Sequence, residues 1–492
     1  MKPLWKRPGL YISIVTGILT ALFIYELYKL SLLPAAILAG IIITVLLMWI
    51  LSAICLIKED LHLAWRIVGG LLAVCLALAS AGGMYYANTG NKALEELSDQ
   101  EGKSIVAVYV LNNHVIEDVK DLEGRKIGVL KTMSAQGTDV CIEELKKAGV
   151  NITTEEFDSS YRMTQALKGQ AIDGMILDQG YLDTLLEMPG MENLDEEIVP
   201  VVQYYYDAPK TNTAETVDTA IEPFTVYISG IDTRENKLLR NSRSDVNLLA
   251  TVNPESHEIL LVSIPRDYYV ETVCEPDMGC MNGAMDKLTH TGLHGPETTE
   301  MTMEKLFDIE INYNVRVNFS SLVKVVDELG GITVYNPEEF TNQNGGAYHF
   351  ESGEIELNGD QALAFVRERY VFTDGDRARG RNQMRVLSAI IDKLLSPKIL
   401  TNFNGIMNSL SSSFQTNMSD KEIKALVAAQ IADPAKWSIY SYSVTGSGGT
   451  DFAAELGDNA YVMYPDENTV YNAKADIKAV LNGEVAPFIN PQ

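Results

Sequence analysis

The sequence predicts an α/β protein in three parts. Three transmembrane helices occupy residues 1–90 and a small α/β accessory domain 91–206. After a linker at 207–222, a larger α/β domain with a central mixed sheet flanked by helices fills 223–492. Three observations carry this reading. Uncharged apolar runs open the chain. Beyond them, strand-like runs alternate with helical patterns. Between the two α/β stretches, DAPKTNTAETVDTAIEP is polar with two prolines, which is linker composition. At 492 residues the chain is also too long for one ordinary core.

The apolar runs are Gly9–Tyr25, Leu30–Ile57 and Ile67–Tyr86. Crossing a bilayer takes about 20 helical residues, with about 17 the lower limit. The second and third runs exceed that, and the first continues past Glu26. Further spans follow the first, which argues against a cleaved signal peptide. Lys2, Lys6 and Arg7 precede the first run, and Lys58 and Arg66 separate the second from the third; Lys29 stands alone in the first loop. The positive-inside rule then puts the N-terminus in the cytoplasm and everything after Tyr86 outside the cell membrane. An outside domain meets neither ATP nor chromosomal DNA.

Charge is uneven. Residues 1–90 carry six Lys+Arg and three Asp+Glu, the remainder 33 and 63. So acidic a remainder argues against nucleic acid as a partner, because phosphate contacts dominate such affinity. Cys55 and Cys75 lie in apolar runs and Cys141 in a helix. Cys274 and Cys280 staple one loop if the compartment is oxidising. His290 and His294 follow them, but the cysteine spacing is not a usual zinc spacing.

In the accessory domain SIVAVYVL, GRKIGVLK and DGMILD read as strands, and CIEELKKAG and SYRMTQALKG as helices. The phrases DLEGRKIGVLK and ALKGQAIDGMILDQG resemble the extracellular solute-binding protein family, in which two lobes close on a ligand. Residues 104–200 supply one such lobe rather than a complete cleft.

In the large domain FTVYISG is a strand ending at Gly230, with Asp232 just beyond. Asp245 begins VNLLATV; NPESHE turns the chain; ILLVSI follows and Pro265 stops it. As an antiparallel meander these strands gather Asp232, Arg243, Asp245 and Arg266 at one sheet edge. MTMEKLFDI reads as a helix, YNVRVNF as a strand and SSLVKVVDELGG as a helix ended by glycines. ALAFVRERY reads as a strand with Arg367 and Arg369 on one face. A helix from about Gly380 to Leu395 stacks Arg379 on Gln383 and Arg381 on Arg385. The helix KEIKALVAAQIA and the strands WSIYSYSV and NAYVMYP close the domain.

The chemistry concentrates in FVRERYVFTDGDRARGRNQMR, residues 365–385, which holds six of the fifteen arginines and no lysine. Arginine suits two-pronged recognition of phosphate oxygens. The alternative is a solvated salt-bridged face, since Glu368, Asp374 and Asp376 are interleaved. No nucleophile elbow accompanies the histidines. Asp232 and Asp245 are candidates to hold one magnesium ion, which pairs naturally with phosphate oxygens. Charge-assisted hydrogen bonds of about 1.5–3 kcal/mol each would stabilise a diphosphate leaving group.

Phe224–Ile391 resembles the LytR-CpsA-Psr proteins. The phrases that carry the likeness are GIDTRENKLLRNSRSDVNLLATVNP, LLVSIPRDYYVE, KLTHTGLHG, VNFSSLVKVVDELGGITVYNP, LNGDQALAFVRERY and DGDRARGRNQMRVLSAI. Three spans and an accessory domain resemble the capsule-associated branch. The resemblance implies an enzyme that moves a glycopolymer, such as capsular polysaccharide or teichoic acid, from polyprenyl pyrophosphate to peptidoglycan outside the cell. A phosphodiester forms and polyprenyl phosphate leaves, the isoprenoid tail lying in an apolar tunnel beneath the sheet. It implies Asp232 and Asp245 as magnesium ligands. It implies Arg243, Arg266, Arg367, Arg369, Arg379 and Gln383 as the pyrophosphate-binding set, with Arg266, Arg367, Arg369 and Asp376 catalytic, Asp376 as the suggested base. The segment Cys274–Cys280 departs from the pattern as an insertion. A polyprenyl-pyrophosphate hydrolase would use the same site. A membrane sensor or transcription attenuator is opposed by short cytoplasmic segments with no DNA-binding module.

Overall fold

The computed structural model describes residues 3–58, 60–98, 102–231, 238–343, 347–373, 375–396, 403–411 and 414–489. Helices α1 (Pro8–Leu30), α2 (Ala35–Ile57) and α3 (Leu63–Ser98) coincide with the apolar runs, and each is long and apolar enough to cross a membrane. The accessory domain runs β1 (Ser104–Leu111), β2 (Lys126–Leu130), α4 (Ala135–Lys147), β3 (Thr153–Phe157) and α5 (Ser160–Lys168). It continues through β4 (Gly174–Asp178), α6 (Gly180–Leu185), α7 (Leu194–Glu197) and β5 (Ile198–Tyr206).

The large domain opens with β6 (Phe224–Ile231), β7 (Val246–Asn253), β8 (Glu258–Ile264), β9 (Tyr269–Glu271), β10 (Met285–Lys287), α8 (Leu288–Thr291) and α9 (Pro296–Phe307). Next come β11 (Tyr313–Asn318), α10 (Phe319–Glu328), β12 (Ile332–Asn336), β13 (Phe340–Thr341), β14 (His349–Phe350) and β15 (Gly353–Leu357). Helices α11 (Gly359–Arg367), α12 (Asp376–Leu394) and α13 (Phe403–Ser411) follow. The chain ends with β16 (Phe414–Thr416), α14 (Asp420–Ala432), β17 (Ser438–Ser443), β18 (Gly446–Ala453), β19 (Asp458–Pro465) and α15 (Glu467–Leu481).

Among the described residues the accessory sheet has the order β3-β2-β4-β1-β5 and the central sheet of the large domain the order β16-β11-β6-β7-β8-β17. The expected meander is present: β6, β7 and β8 pair antiparallel, while β11 and β17 join parallel on either side. Alternation along the strands sends Leu249, Leu260 and Val262 to a core shared with Met303, Phe307 and Ile477. Ala250 and Leu261 join a second core with Met418, Trp437, Leu387 and Ile391. With helices on both faces, the sheet leaves its strand ends for function.

Two expectations need correction. ALAFVRERY is not a strand: it lies mostly in α11, which ends at Arg367. Asn358 caps this helix, accepting from the Gln361 backbone while the Gln361 side chain accepts from Asn358 N–H. Ala362, Phe365 and Val366 bury one face. A short apolar run fits helix or strand by pattern alone, and the cap decides it. Likewise α12 begins at Asp376, one turn before Gly380.

The histidines near the insertion pair with carboxylates and the two cysteines with each other. His290 bonds Asp286 at 2.6 Å and His294 bonds Glu455 at 2.7 Å, while Cys274 and Cys280 are joined as a disulfide.

The accessory domain is docked, not tethered. The C-terminal ends of its parallel strands β2 and β4, where open α/β sheets usually meet ligands, face the large domain instead. There Asp178 is buried and accepts from Ser134 and Tyr206, and Tyr206 accepts from Asn241. A Cβ on Gly180 would lie 2.6 Å from the Asn241 carbonyl, so only glycine allows this approach. Tyr181 donates to Glu455 at 2.8 Å, and Ser160 to the Glu455 carbonyl at 3.0 Å. Leu185, Leu293 and Leu456 share one core across the boundary. At the membrane side, Ala87, Ala93 and Leu94 of α3 pack on Phe403, Ile406 and Met407 of α13.

The stretch 207–222 is tied down at several points. Thr219 donates to the Glu422 carbonyl at 2.7 Å and Thr213 to Glu300 at 2.7 Å. Burial pushes the Glu300 carboxyl up to about 8, against the lowering by Thr213 and Asn314. A carboxyl raised in the folded state contributes stability that is full below the usual carboxyl range and is lost as pH rises through 8, at up to about 1.4 kcal/mol per pH unit. Glu300→Gln keeps both bonds without the charge. Its thermal midpoint is expected to fall less than that of the wild type between pH 6 and 9; parallel curves would contradict this.

Candidate active site

The end of the central sheet carries the site. Asp245 immediately precedes β7, and its N–H donates to the Gly230 carbonyl at the end of β6 at 2.9 Å. Arg266 follows the end of β8. The loop bearing Arg243 is bound to α8: Ser242 N–H donates to the Gly292 carbonyl at 3.1 Å, and Ser244 N–H to the Thr289 carbonyl at 3.1 Å. Thr289 N–H in turn donates to the Arg266 carbonyl at 2.8 Å. A Cβ on Gly292 would meet the Ser242 carbonyl at 2.5 Å, so this close packing requires glycine. The segment KLTHTG thus sets the two arginine loops against each other.

Arg367 closes α11 and Arg369 lies in the turn after it, and Glu368 between them shapes that turn. Its buried carboxylate accepts from the backbone N–H groups of Arg369, Tyr370 and Val371 at 2.8, 2.6 and 3.3 Å, and from Gln343 at 2.5 Å. Burial alone would raise the Glu368 carboxyl, but these four donors hold it below the usual range. The flanking arginines therefore point away from the core, each lying over an aromatic ring: Arg367 5.1 Å from Phe319 and Arg369 4.8 Å from Tyr370. Arg379 and Gln383 lie one turn apart on α12, as their spacing predicts.

These elements enclose a cavity of about 290 Å³ lined by Arg243, Asp245, Arg266, Arg367, Arg369, Arg379 and Gln383, together with Glu187, Val246, Phe319 and Tyr370. Seven of the nine residues singled out from the sequence therefore meet in one hollow. Asp232 falls outside the described residues. Asp376 opens α12, but its side chain is likewise outside what is described.

Asp245 Oδ1 lies 2.6 Å from Arg266 and 3.5 Å from Arg243. A magnesium ion accepts one or two carboxylates with phosphate oxygens and water. Among the described residues the cavity lining supplies carboxylates and no histidine or cysteine, so these donors fit that ion class.

Next to the cationic cavity is an apolar one of about 90 Å³, lined by Ile228, Leu248, Val317, Leu322, Val366, Val386, Leu387 and Ile390. The two share Val246, Phe319 and Gln383. Sequence reasoning missed Glu187, Phe319 and Tyr370. The two aromatics lie inside the quoted phrases VNFSSLVKVVDELGGITVYNP and LNGDQALAFVRERY but carry no charge to single them out, and Glu187 belongs to the other domain.

A profile of the LytR_cpsA_psr family matches residues 200–479. The polyisoprenyl-teichoic acid–peptidoglycan teichoic acid transferase TagU of Enterococcus faecalis is 35% identical over 234 residues, covering 45% of this chain and 74% of that protein. The TagU of Bacillus cereus is 32% identical over 233 residues, covering 47% and 71%. Among solved structures, B. subtilis TagV is 28% identical, with a TM-score of 0.44 over 53% of this chain and 98% of its own. With every arginine of its cationic cavity inside the matched segment, this chain belongs to the LytR_cpsA_psr family.

Proposed function

We propose that the protein is a membrane-anchored phosphotransferase that moves a glycopolymer of capsular or teichoic acid type from a polyprenyl diphosphate to peptidoglycan on the outer face of the cell. The observation that carries this reading is the arginine cavity opening beside an apolar one through shared Val246, Phe319 and Gln383. A diphosphate head and an isoprenoid tail need that pairing of surfaces. The names of the TagU relatives support the substrate class. The basic residues before α1 and between α2 and α3 support an outside site.

In this reading Arg243, Arg266, Arg367, Arg369, Arg379 and Gln383 grip the diphosphate, Arg266, Arg367 and Arg369 stabilising charge as it develops. A peptidoglycan hydroxyl attacks the phosphorus bonded to the glycan. The bond from that phosphorus to the bridging oxygen breaks, polyprenyl phosphate departs, and the hydroxyl proton passes to a base, for which Asp376 is the candidate. Asp232 and Asp245 would hold a magnesium ion, which neutralises charge on phosphate oxygens when bound.

The test is transfer of a labelled glycan from a prenyl diphosphate to peptidoglycan by the detergent-solubilised protein. Label is expected in peptidoglycan as a phosphodiester, with EDTA suppressing transfer and magnesium restoring it. Release of the label into water at equal rates with and without peptidoglycan would establish a hydrolase instead. Turnover that ignores the chelator would remove the metal from the account.

A further inference from the structure

Glu187 follows α6 in the accessory domain, outside the family-matched segment, yet its carboxylate lines the cationic cavity. Its Oε1 accepts from Arg243 at 2.8 Å and from Arg266 at 3.0 Å, and Oε2 lies 3.7 Å from Lys287 Nζ. Burial would raise this carboxyl, but Arg243, Arg266 and Lys287 outweigh it and hold it at about 2, so the group is an anion at every physiological pH.

The loop cannot swing freely. Leu185 and Met188 on either side of Glu187 are buried, Arg243 also donates to the Asp183 carbonyl at 3.1 Å, and Tyr181 is fastened to Glu455. A fixed anion therefore stands inside a site built for anions.

Its position within the site is informative. The apolar cavity meets the cationic one at Val246, Phe319 and Gln383, whereas Glu187, Arg243 and Arg266 line only the cationic one. A prenyl diphosphate with its tail in the apolar cavity and its first phosphate near Gln383 would carry its terminal phosphate into the cationic cavity that Glu187 lines with Arg243 and Arg266. In a glycosylated donor the terminal phosphate is a diester with one negative charge. In a free prenyl diphosphate it is a monoester, whose second ionisation near pH 6 adds about one more.

Resting on the function proposed above, we infer that Glu187 is a specificity-determining residue that the accessory domain inserts into the phosphate site. Its charge disfavours the extra charge of a diphosphate monoester, so the site selects glycosylated donors over the free prenyl diphosphate of the same membrane. The accessory domain is thereby part of the active site rather than a separate receptor.

The experiment measures binding of farnesyl diphosphate and of farnesyl-diphospho-N-acetylglucosamine to the full-length protein in detergent at pH 7.5. Glu187→Gln is expected to tighten the monoester about tenfold while moving the diester less than about threefold. Glu187→Asp, which keeps the charge, is expected to retain the preference that Glu187→Gln loses, whereas a merely structural role would move both ligands together in either variant. Equal shifts for both ligands, or weaker binding of the monoester by Glu187→Gln with an unchanged thermal midpoint, would overturn the inference. If the wild type binds neither ligand, the donor assignment itself fails, and this inference with it.

Discussion

Replacing Arg367 and Arg369 together by alanine is expected to reduce glycan transfer about a thousandfold while shifting stability by no more than about 1 kcal/mol. Both effects follow from how the turn is built. The turn is held by Glu368, whose carboxylate collects four backbone N–H groups. Arg367 is exposed and Arg369 half-buried, so trimming them leaves no cavity in the core. Their guanidinium groups line the cationic cavity, where each can give two charge-assisted bonds to phosphate oxygens. Glu368→Ala makes the contrasting control. It orphans the backbone donors of a buried turn and should lower the thermal midpoint as well as activity. Transfer and melting measured on the same preparations separate the two variants. Wild-type transfer by the double arginine variant would remove both residues from the site.

The second large effect concerns the tail. The apolar cavity of about 90 Å³ is roomy enough for about one five-carbon isoprenoid unit. Burying such a unit contributes roughly 3 kcal/mol. A donor whose first prenyl unit is intact should therefore have a KM about a hundredfold below that of a methyl diphosphate analogue of the same glycan. Leu387 on α12 lines that cavity and is only half-buried, so a longer polar side chain can be accommodated there without unfolding the helix. Leu387→Glu places an anion where the tail lies and should erase the advantage of the prenyl donor while leaving the methyl analogue's KM within about threefold. KM values for the two donors with each protein decide the matter. A prenyl advantage that survives Leu387→Glu would mean that the tail binds elsewhere.

Much of this architecture is legible in the sequence. The three apolar runs coincide with α1, α2 and α3, each long and apolar enough to cross a membrane. The meander of β6, β7 and β8 was readable from strand–turn–strand punctuation at NPESHE and Pro265, and it brought Arg243, Asp245 and Arg266 together. Composition and spacing mark Arg367 and Arg369 in the sequence, although the apolar run before them reads as a strand and is the helix α11. Their apolar run suits either period, and the Asn358–Gln361 capping box was the overlooked signal. Glu187 could not have been found this way. Nothing in the phrase TLLEMPG marks a functional carboxylate; only the docking of one domain on another, through Tyr181, Asp178 and Glu455, brings it to Arg243 and Arg266.

The most direct test of the central claim is a crystal structure of the protein with a prenyl diphosphate bound. The account expects diphosphate oxygens within hydrogen-bond distance of Arg367, Arg369 and Arg379, with the prenyl chain between Leu248 and Leu387. A diphosphate resting on any other surface, or a chain lying outside that apolar cavity, would contradict it.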